Sequence, residues 1–414
     1  MSSEPLHVLP TAAWWKQGTA LTRVVTDLLA AELAQMRPSR PPAPPPWRGD
    51  VYFVGDLGVD SLELMGMGTA LAEALHLQRD RVDERLLARP CLDQWVASAR
   101  AGLAANPAPA AALLTFRTSG SAGSPKRCTH ALATLAQEIE ALAALVPGRR
   151  RILSAVPSHH IYGFLFTVLL PQHLGIDAIV DVRTAGPAGA LGMARAGDLI
   201  VAHPGWWEAL ARVEPDFGPD IVGVTSTAPC PDALADTLAG AGLRLLQVYG
   251  SSETGGVGWR AAGAAPYTLL PYWSRGGDDG QLTRTMPDGA TQAFALQDRL
   301  EWDDAGRFRP AGRVDQAVQV GGINVFTAYV ADVLAMHPDV AAAAVRLMRP
   351  DEGNRLKAFV VARPGADVDA LHADLPGWAA ARLSTPERPV AYTFGPRLPR
   401  QASGKPADWI IDAE

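Results

Sequence analysis

The chain has only three cysteines in 414 residues, Cys91, Cys128 and Cys230, widely spaced and odd in number. No disulfide framework and no zinc-ligand spacing can be built from them, which points to a reducing compartment. A large charge of one sign is missing too. Lys and Arg total 37 against 43 Asp and Glu, a net charge of −6, so bulk electrostatics draw in neither nucleic acid nor an anionic membrane. No apolar run reaches membrane-spanning length, and the N-terminus lacks a basic region followed by an apolar stretch, so the expected location is cytoplasmic. Charged residues at 19% and hydrophobic residues at 48% argue against long disorder, and the length suffices for two or three domains with sizeable cores. Two common phosphate-binding spacings are also absent, Gly-x4-Gly-Lys-[Ser/Thr] and Gly-x-Gly-x-x-Gly.

What is present is a turn of small, donor-rich residues. Thr118-Ser119-Gly120-Ser121-Ala122-Gly123-Ser124-Pro125-Lys126 comes after an apolar run (Ala111 to Leu114, then Phe116) that can end a buried strand. Glycines let backbone N–H groups approach a polyanion closely, and hydroxyls and a lysine add donors, which makes a cradle for a nucleotide triphosphate. Alone, such a Gly/Ser turn is more often a plain loop. Its weight comes from four more motifs downstream, in a fixed order.

Two proline-bearing stretches divide the chain. Residues 37 to 48 form an extended, Pro-rich spacer that cannot be helical. Before it, Leu21, Val24, Val25, Leu28 and Leu29 mark an amphipathic helix; after it, Leu62 to Leu77 reads as a second helix, with short helical pieces at Val82 to Leu87 and Leu92 to Ala99. Residues 101–112, rich in Ala and Pro, read as a linker. Beyond it, β-rich runs (Ile152 to Val156, Asp198 to Ala202, Leu243 to Val248) alternate with helical stretches such as Leu132 to Leu145, which predicts an α/β core. No internal repeat is visible.

The four downstream stretches are Pro157-Ser158-His159-His160-Ile161-Tyr162-Gly163; Val248-Tyr249-Gly250-Ser251-Ser252-Glu253-Thr254-Gly255; Asp298 ahead of Gly312-Arg313-Val314-Asp315 and Val320-Gly321-Gly322-Ile323-Asn324-Val325; and Leu398-Pro399-Arg400-Gln401-Ala402-Ser403-Gly404-Lys405. The series resembles the adenylate-forming superfamily of acyl- and aryl-CoA synthetases, carrier-loading adenylation domains and luciferases, over residues 112 to 414. The resemblance implies an ATP-binding α/β core over 113–314 and a small, mobile α+β lid domain over 315–414. It implies ATP and Mg²⁺ as cofactors. Thr118, Ser119, Gly120, Ser121, Gly123 and Lys126 would hold the phosphates, although Ala122 stands where the family usually has a threonine and removes one hydroxyl donor. Glu253 would hold Mg²⁺, Tyr249 would stack on adenine, and Thr254 would lie near the α-phosphate. Asp298 and Arg313 would hold the ribose hydroxyls, with Leu296-Gln297-Asp298 replacing the usual Thr-Gly-Asp. His160 would stand beside the reacting carboxylate. Lys405 would swing in to bridge carboxylate and α-phosphate, with Asp315 as hinge, and a second rotation would bring Gly321-Gly322 to the attacking thiol. For each residue taken alone the plainer reading is structural: a solvated loop glutamate, a core tyrosine, a surface lysine.

A second resemblance lies upstream. Asp56-Leu57-Gly58-Val59-Asp60-Ser61-Leu62-Glu63-Leu64 is similar to the attachment site of acyl carrier proteins, with Arg89-Pro90-Cys91-Leu92 as the late turn. It implies an all-α carrier-like module over 1–100, with 4′-phosphopantetheine on Ser61, where a helix N-terminus favours the phosphodiester. The alternative is that Asp60 or Ser61 merely caps the helix. Family members usually carry a long segment ahead of the phosphate loop; only this module and the linker precede it here, so the acid pocket is expected to be reduced or completed by another element.

The function expected is activation of a carboxylic acid as an acyl-adenylate and its transfer to the pantetheine thiol of a separate acyl carrier protein. The alternatives are CoA as acceptor, or a non-catalytic, carrier-docking relative. Retention of Lys126, Glu253, Asp298, Arg313 and Lys405 favours the enzyme.

Overall fold

The computed structural model describes residues 10–37, 40–77, 89–106, 112–118, 126–261, 263–277, 280–313, 317–349, 351–399 and 409. Ser119, Gly120, Ser121, Gly123, Asp315, Lys405 and the expected helical piece at 82–87 lie outside the described residues. Contacts divide the chain into two units: Met1–Leu33, Pro42–Thr118 and Arg127–Gly312 form one, and Ala34–Pro41, Ser119–Lys126 and Arg313–Glu414 the other.

The first unit is built on a mostly parallel sheet. After a paired β1 (Leu113–Thr118) and β2 (Lys126–Ala131) come β3 (Arg151–Ser154), β4 (Ala178–Asp181), β5 (Asp198–Ala202), β6 (Val222–Thr225), β7 (Arg244–Ser251), β8 (Gly255–Arg260) and β9 (Thr268–Leu269). The seven strands β3 to β9 lie in the order β4-β3-β5-β6-β7-β8-β9. Pairing is parallel from β4 through β7, then antiparallel across β8 and β9. The parallel strands read as unbroken apolar runs because helices cover both faces: all five residues of β5 are buried. Leu153, Ile200, Trp207, Leu210, Leu234 and Leu238 form one core cluster on this sheet. The helix Leu132–Leu145 has the bounds its periodicity predicts and buries Leu135, Ile139 and Leu142. Further on, β10 (Trp273–Arg275), β11 (Gln281–Thr285) and β12 (Thr291–Ala295) make an antiparallel sheet, and β13 (Asp298–Trp302) pairs with β14 (Phe308–Arg313).

The N-terminal helices share this unit's packing. The amphipathic stretch becomes the helix Ala20–Met36, which stops just ahead of the Pro-rich spacer. Its Asp27 is buried and accepts from both Ser158 N and Ser158 Oγ at 2.7 Å, and it pairs with Arg183 at 2.8 Å. Arg117 of β1 pairs with Glu32 at 2.8 Å and with Glu73, tying two N-terminal helices to the strand that enters the Gly/Ser turn. Trp14 packs edge-on to Phe164 at 5.0 Å. These helices are therefore fastened to the strands by ion pairs that are half-buried around Arg117 and fully buried on one side at Asp27, whose loss of Arg183 would leave an uncompensated ion. Leu92–Ala104 runs four residues into the stretch expected as linker, because the Ala-rich run 101–105 favours helix until Pro107 is reached.

The second unit has its own core. β15 (Val318–Val320) and β16 (Ile323–Val325) are joined by Gly321-Gly322, both at positive φ (57° and 83°), the two-residue hairpin that glycine allows. The helix Thr327–Ala335 precedes β17 (Val340–Leu347), which is antiparallel to β18 (Leu356–Ala362); the helix Val368–Arg382 then crosses over to β19 (Ala391–Phe394), parallel to β18. Val330, Leu334, Leu356, Val360, Leu371 and Leu375 fill the space between. An α/β core with a small α+β C-terminal unit is thus the architecture. No helix among the described residues is long and apolar enough to cross a membrane.

Candidate active site

The parallel strands bring His160, Tyr249, Glu253 and Thr254 to one edge of the sheet. Chain segments leaving the carboxyl ends of β3, β5, β6 and β7 carry His159 and His160, His203, Ser226 and Thr227, and Tyr249 to Thr254. In open α/β sheets that edge is where ligands bind.

Tyr249 and Asp298 meet there. The Tyr249 hydroxyl donates to Asp298 Oδ2 at 2.7 Å, and both residues are half-buried. Tyr249 also belongs to an aromatic wall: Phe308 lies 5.2 Å from its ring and Tyr267 5.7 Å, and Tyr267 stacks on Phe308 at 5.5 Å. A flat aromatic face beside a fixed carboxylate suits a purine and a vicinal diol, since a carboxylate accepts from two hydroxyls at once. Arg313 closes β14, the strand paired with the one Asp298 opens, and is half-buried.

The Ser251–Gly255 turn is a tight local network. Thr254 Oγ1 lies 3.0 Å from Ser251 Oγ, receives Ser251 N–H at 3.1 Å, and is itself buried. Glu253, at the apex, is half-buried. His130 Nε2 lies 2.7 Å from the Ser252 carbonyl oxygen; burial pulls the His130 pKa below its ordinary value, against the Ser252 hydrogen bond and the Glu253 charge, which pull it up. No cluster of three or more His, Cys, Asp or Glu exists among the described residues. One carboxylate at this turn is the donor set of a cation that takes its other ligands from phosphates and water, so Glu253 fits Mg²⁺ carried on a nucleotide.

The remaining candidates are spread around this edge and beyond it. Thr118 ends β1 and Lys126, exposed, opens β2, so the two described ends of the Gly/Ser turn sit on paired strands. His160 stands immediately before the short helix Ile161–Phe164, without a side-chain capping bond, and is exposed, its ring 4.0 Å from that of His159. His159 Nδ1 is buried and unpaired among the described residues, and burial, then His160 and Arg183, hold that imidazole well below its usual pKa. Ser61 is exposed as the first residue of the helix Ser61–Ala74. Asp60 caps that helix: Asp60 Oδ1 accepts from Glu63 N at 2.8 Å and Glu63 Oε2 from Asp60 N at 3.0 Å, so the capping alternative for this motif is realised in full.

Several residues of this edge went unread in the sequence. Asp27 sits 131 positions from Ser158, a separation no local motif signals. Thr227 adopts a left-handed φ of 79° after β6, a strained position for a β-branched residue and one that favours a site. The signal available was its place just after a buried strand.

The AMP-binding enzyme family matches residues 63–279 and the AMP-binding enzyme C-terminal domain matches 329–405. The chain is 42% identical to a 4-coumarate–CoA ligase of Rhodobacter capsulatus over 376 residues, 87% of this chain and 94% of that protein. A 4-coumarate–CoA ligase of Halorhodospira halophila is 38% identical over 390 residues, 92% of this chain and 97% of that protein. Both relatives are matched almost end to end. The match from residue 63 onward and the 92% coverage take in most of the stretch expected as a carrier-like module, and no support for such a module comes from them. Among solved structures, an amide bond synthetase of Marinactinospora thermotolerans has the same fold, with a TM-score of 0.61 over 96% of this chain and 97% of that one at 18% identity.

Proposed function

The chain belongs to the AMP-binding enzyme family, as an adenylate-forming acid–thiol ligase, and from that premise we propose that its acid is 4-coumarate and its acceptor coenzyme A. The observation that carries this reading is the 42% identity to a 4-coumarate–CoA ligase across 94% of that protein. Transfer to an acyl carrier protein, with or without pantetheine on Ser61, has no comparable support.

The residues divide the work by chemistry. Tyr249 and Asp298 take the adenosine, with Arg313 as a further ribose contact. Ser119, Gly120, Ser121, Gly123 and Lys126, flanked by Thr118, receive the phosphates, and Thr254 lies by the α-phosphate. Glu253 would hold Mg²⁺, which would supply positive charge against the phosphates. Lys405 stabilises the two oxyanions that approach one another when carboxylate attacks the α-phosphate, and Asp315 is the hinge about which its unit turns. His160 stands beside the acid.

Acid-dependent ATP–pyrophosphate exchange over a panel of aryl and fatty acids, followed by thioester assay with CoA and with a pantetheinylated carrier, tests the reading. Exchange with 4-coumarate and thioester on CoA are expected. Exchange with fatty acids alone, or thioester on the carrier alone, overturns it.

A further inference from the structure

Glu138 lies on the helix Leu132–Leu145, far in sequence from the motif turn, yet its carboxyl group is buried directly beneath it. Oε1 accepts from Gly256 N at 2.7 Å. Oε2 has no hydrogen-bond partner among the described residues and lies 2.4 Å from where a Cβ on Gly255 would stand. Gly255 has φ +69°, so backbone conformation and the carboxyl group beneath both demand glycine there.

The rest of the turn is gripped from the same buried layer. Arg284, 1% exposed, donates to the Thr254 carbonyl at 3.1 Å and to the Thr134 carbonyl at 2.9 Å, and its guanidinium lies 4.3 Å from the Tyr272 ring centre. Trp273 Nε1 donates to the Gly256 carbonyl at 2.8 Å, and Tyr272 Oη to the same oxygen at 3.2 Å. With His130 on the Ser252 carbonyl, three carbonyls and one N–H between residues 252 and 256 are held by buried side chains. That fixed backbone carries Glu253 and Thr254.

We propose that Glu138, with Arg284, is a positioning residue for the reaction: it fixes the Thr254–Gly256 backbone and through it the Glu253 carboxylate that meets the metal-bound nucleotide. A buried carboxyl group on a purely structural helix face is costly to desolvate, and burial does push the Glu138 pKa up to about 7. The cost is tolerated where it orders a backbone that must present a ligand at a fixed angle. The proposal rests on Glu253 holding the nucleotide's metal.

Pyrophosphate exchange is measured against Mg²⁺ concentration in wild type, E138M, E138Q, E253Q and E138M/E253Q, using the full chain with ATP and 4-coumarate. E138M keeps the volume and removes the acceptor; it should raise the Mg²⁺ half-saturation about tenfold, the worth of one lost buried hydrogen bond. E138Q still accepts from Gly256 N and should return the midpoint to within about twofold of wild type. In the E253Q background, E138M should add less than about twofold, because it acts through Glu253. Coincident Mg²⁺ titrations of wild type and E138M, or an equal E138M effect with and without Glu253, overturn the proposal. If E138M does not fold, R284K carries the same cycle, since lysine cannot span the Thr254 and Thr134 carbonyls together. If E253Q itself leaves the midpoint unchanged, the metal assignment of Glu253 has failed instead.

Discussion

Each of the two units of this chain contains a perturbed glutamate, Glu138 buried and Glu352 half-buried, and the two are perturbed in opposite directions. In the first, Glu138 accepts one backbone hydrogen bond, keeps one oxygen unpartnered among the described residues, and is pushed up to about 7 mainly by burial. In the second, Glu352 receives Arg346 at 2.9 Å, Lys357, and the Arg349 backbone N–H at 2.9 Å; these donors, Arg346 first, hold it well below the usual carboxylate range. Lys357, fully buried, also donates to the Trp409 carbonyl at 2.6 Å, and Arg346 to the same oxygen at 2.9 Å. The second cluster is saturated and fastens the chain four residues beyond Lys405 to the sheet β17–β19. The first is short of partners beneath a site. A charge saturated with donors marks a fastening, and a buried, undersupplied one marks a place where backbone is being held for something else.

The same contrast separates what each unit contributes to the reaction. If Tyr249, Glu253 and Asp298 of the first unit supply most of the nucleotide affinity and the second unit supplies Lys405, K405A should slow exchange by about a thousandfold while ATP binding, read by isothermal titration, changes less than about threefold. That is the largest effect expected here. A parallel loss of ATP affinity would break the division of labour between the units.

The second effect is on stability. Glu138 has a folded pKa above its unfolded value near 4.3, so its contribution is full below that value and is lost as pH rises through about 7. In denaturant titrations E138Q should therefore gain on wild type by up to about 3 kcal/mol between pH 4 and pH 8. Glu352 has a lowered folded pKa, so its contribution is present above the unfolded value and disappears as pH falls below it. E352Q should lose to wild type at neutral pH and converge with it in acid. Two variants with the same pH trend would erase the comparison.

How much of this is legible in the sequence depends on the range of each signal. Helices and parallel strands are readable because their periodicity and apolar runs are local: Leu132–Leu145 and Asp198–Ala202 match their sequence bounds residue for residue. Tyr249, Glu253 and Asp298 can be proposed because they sit in short ordered motifs. Glu138 and Arg284 cannot, since a glutamate mid-helix and an arginine on a strand look like solvated charges until the fold buries both. Asp27 is hidden for the same reason, on a helix whose apolar stripe draws attention away from it. The Asp60-Ser61-Leu62 triplet allows two local readings, a modified serine or a helix cap, and the geometry shows the cap, a capping box between Asp60 and Glu63.

That triplet provides the smallest effect and a third regime for a carboxylate. Asp60 and Glu63 are neither starved nor saturated in a buried layer; they satisfy one another and two backbone N–H groups at the surface, where water replaces lost partners cheaply. D60A should cost about 1 kcal/mol, the ordinary worth of an N-cap. S61A removes only an exposed hydroxyl at the first helical position and should shift stability by less than about 0.5 kcal/mol. Incubation with a broad-specificity phosphopantetheinyl transferase and CoA, read by intact mass, should leave wild type and S61A without an adduct and equal in thioester synthesis. An adduct on wild type that S61A abolishes would make this exposed turn a second functional site. It would also show that an unburied, locally satisfied cap can carry chemistry which the contrast of the two glutamates does not detect.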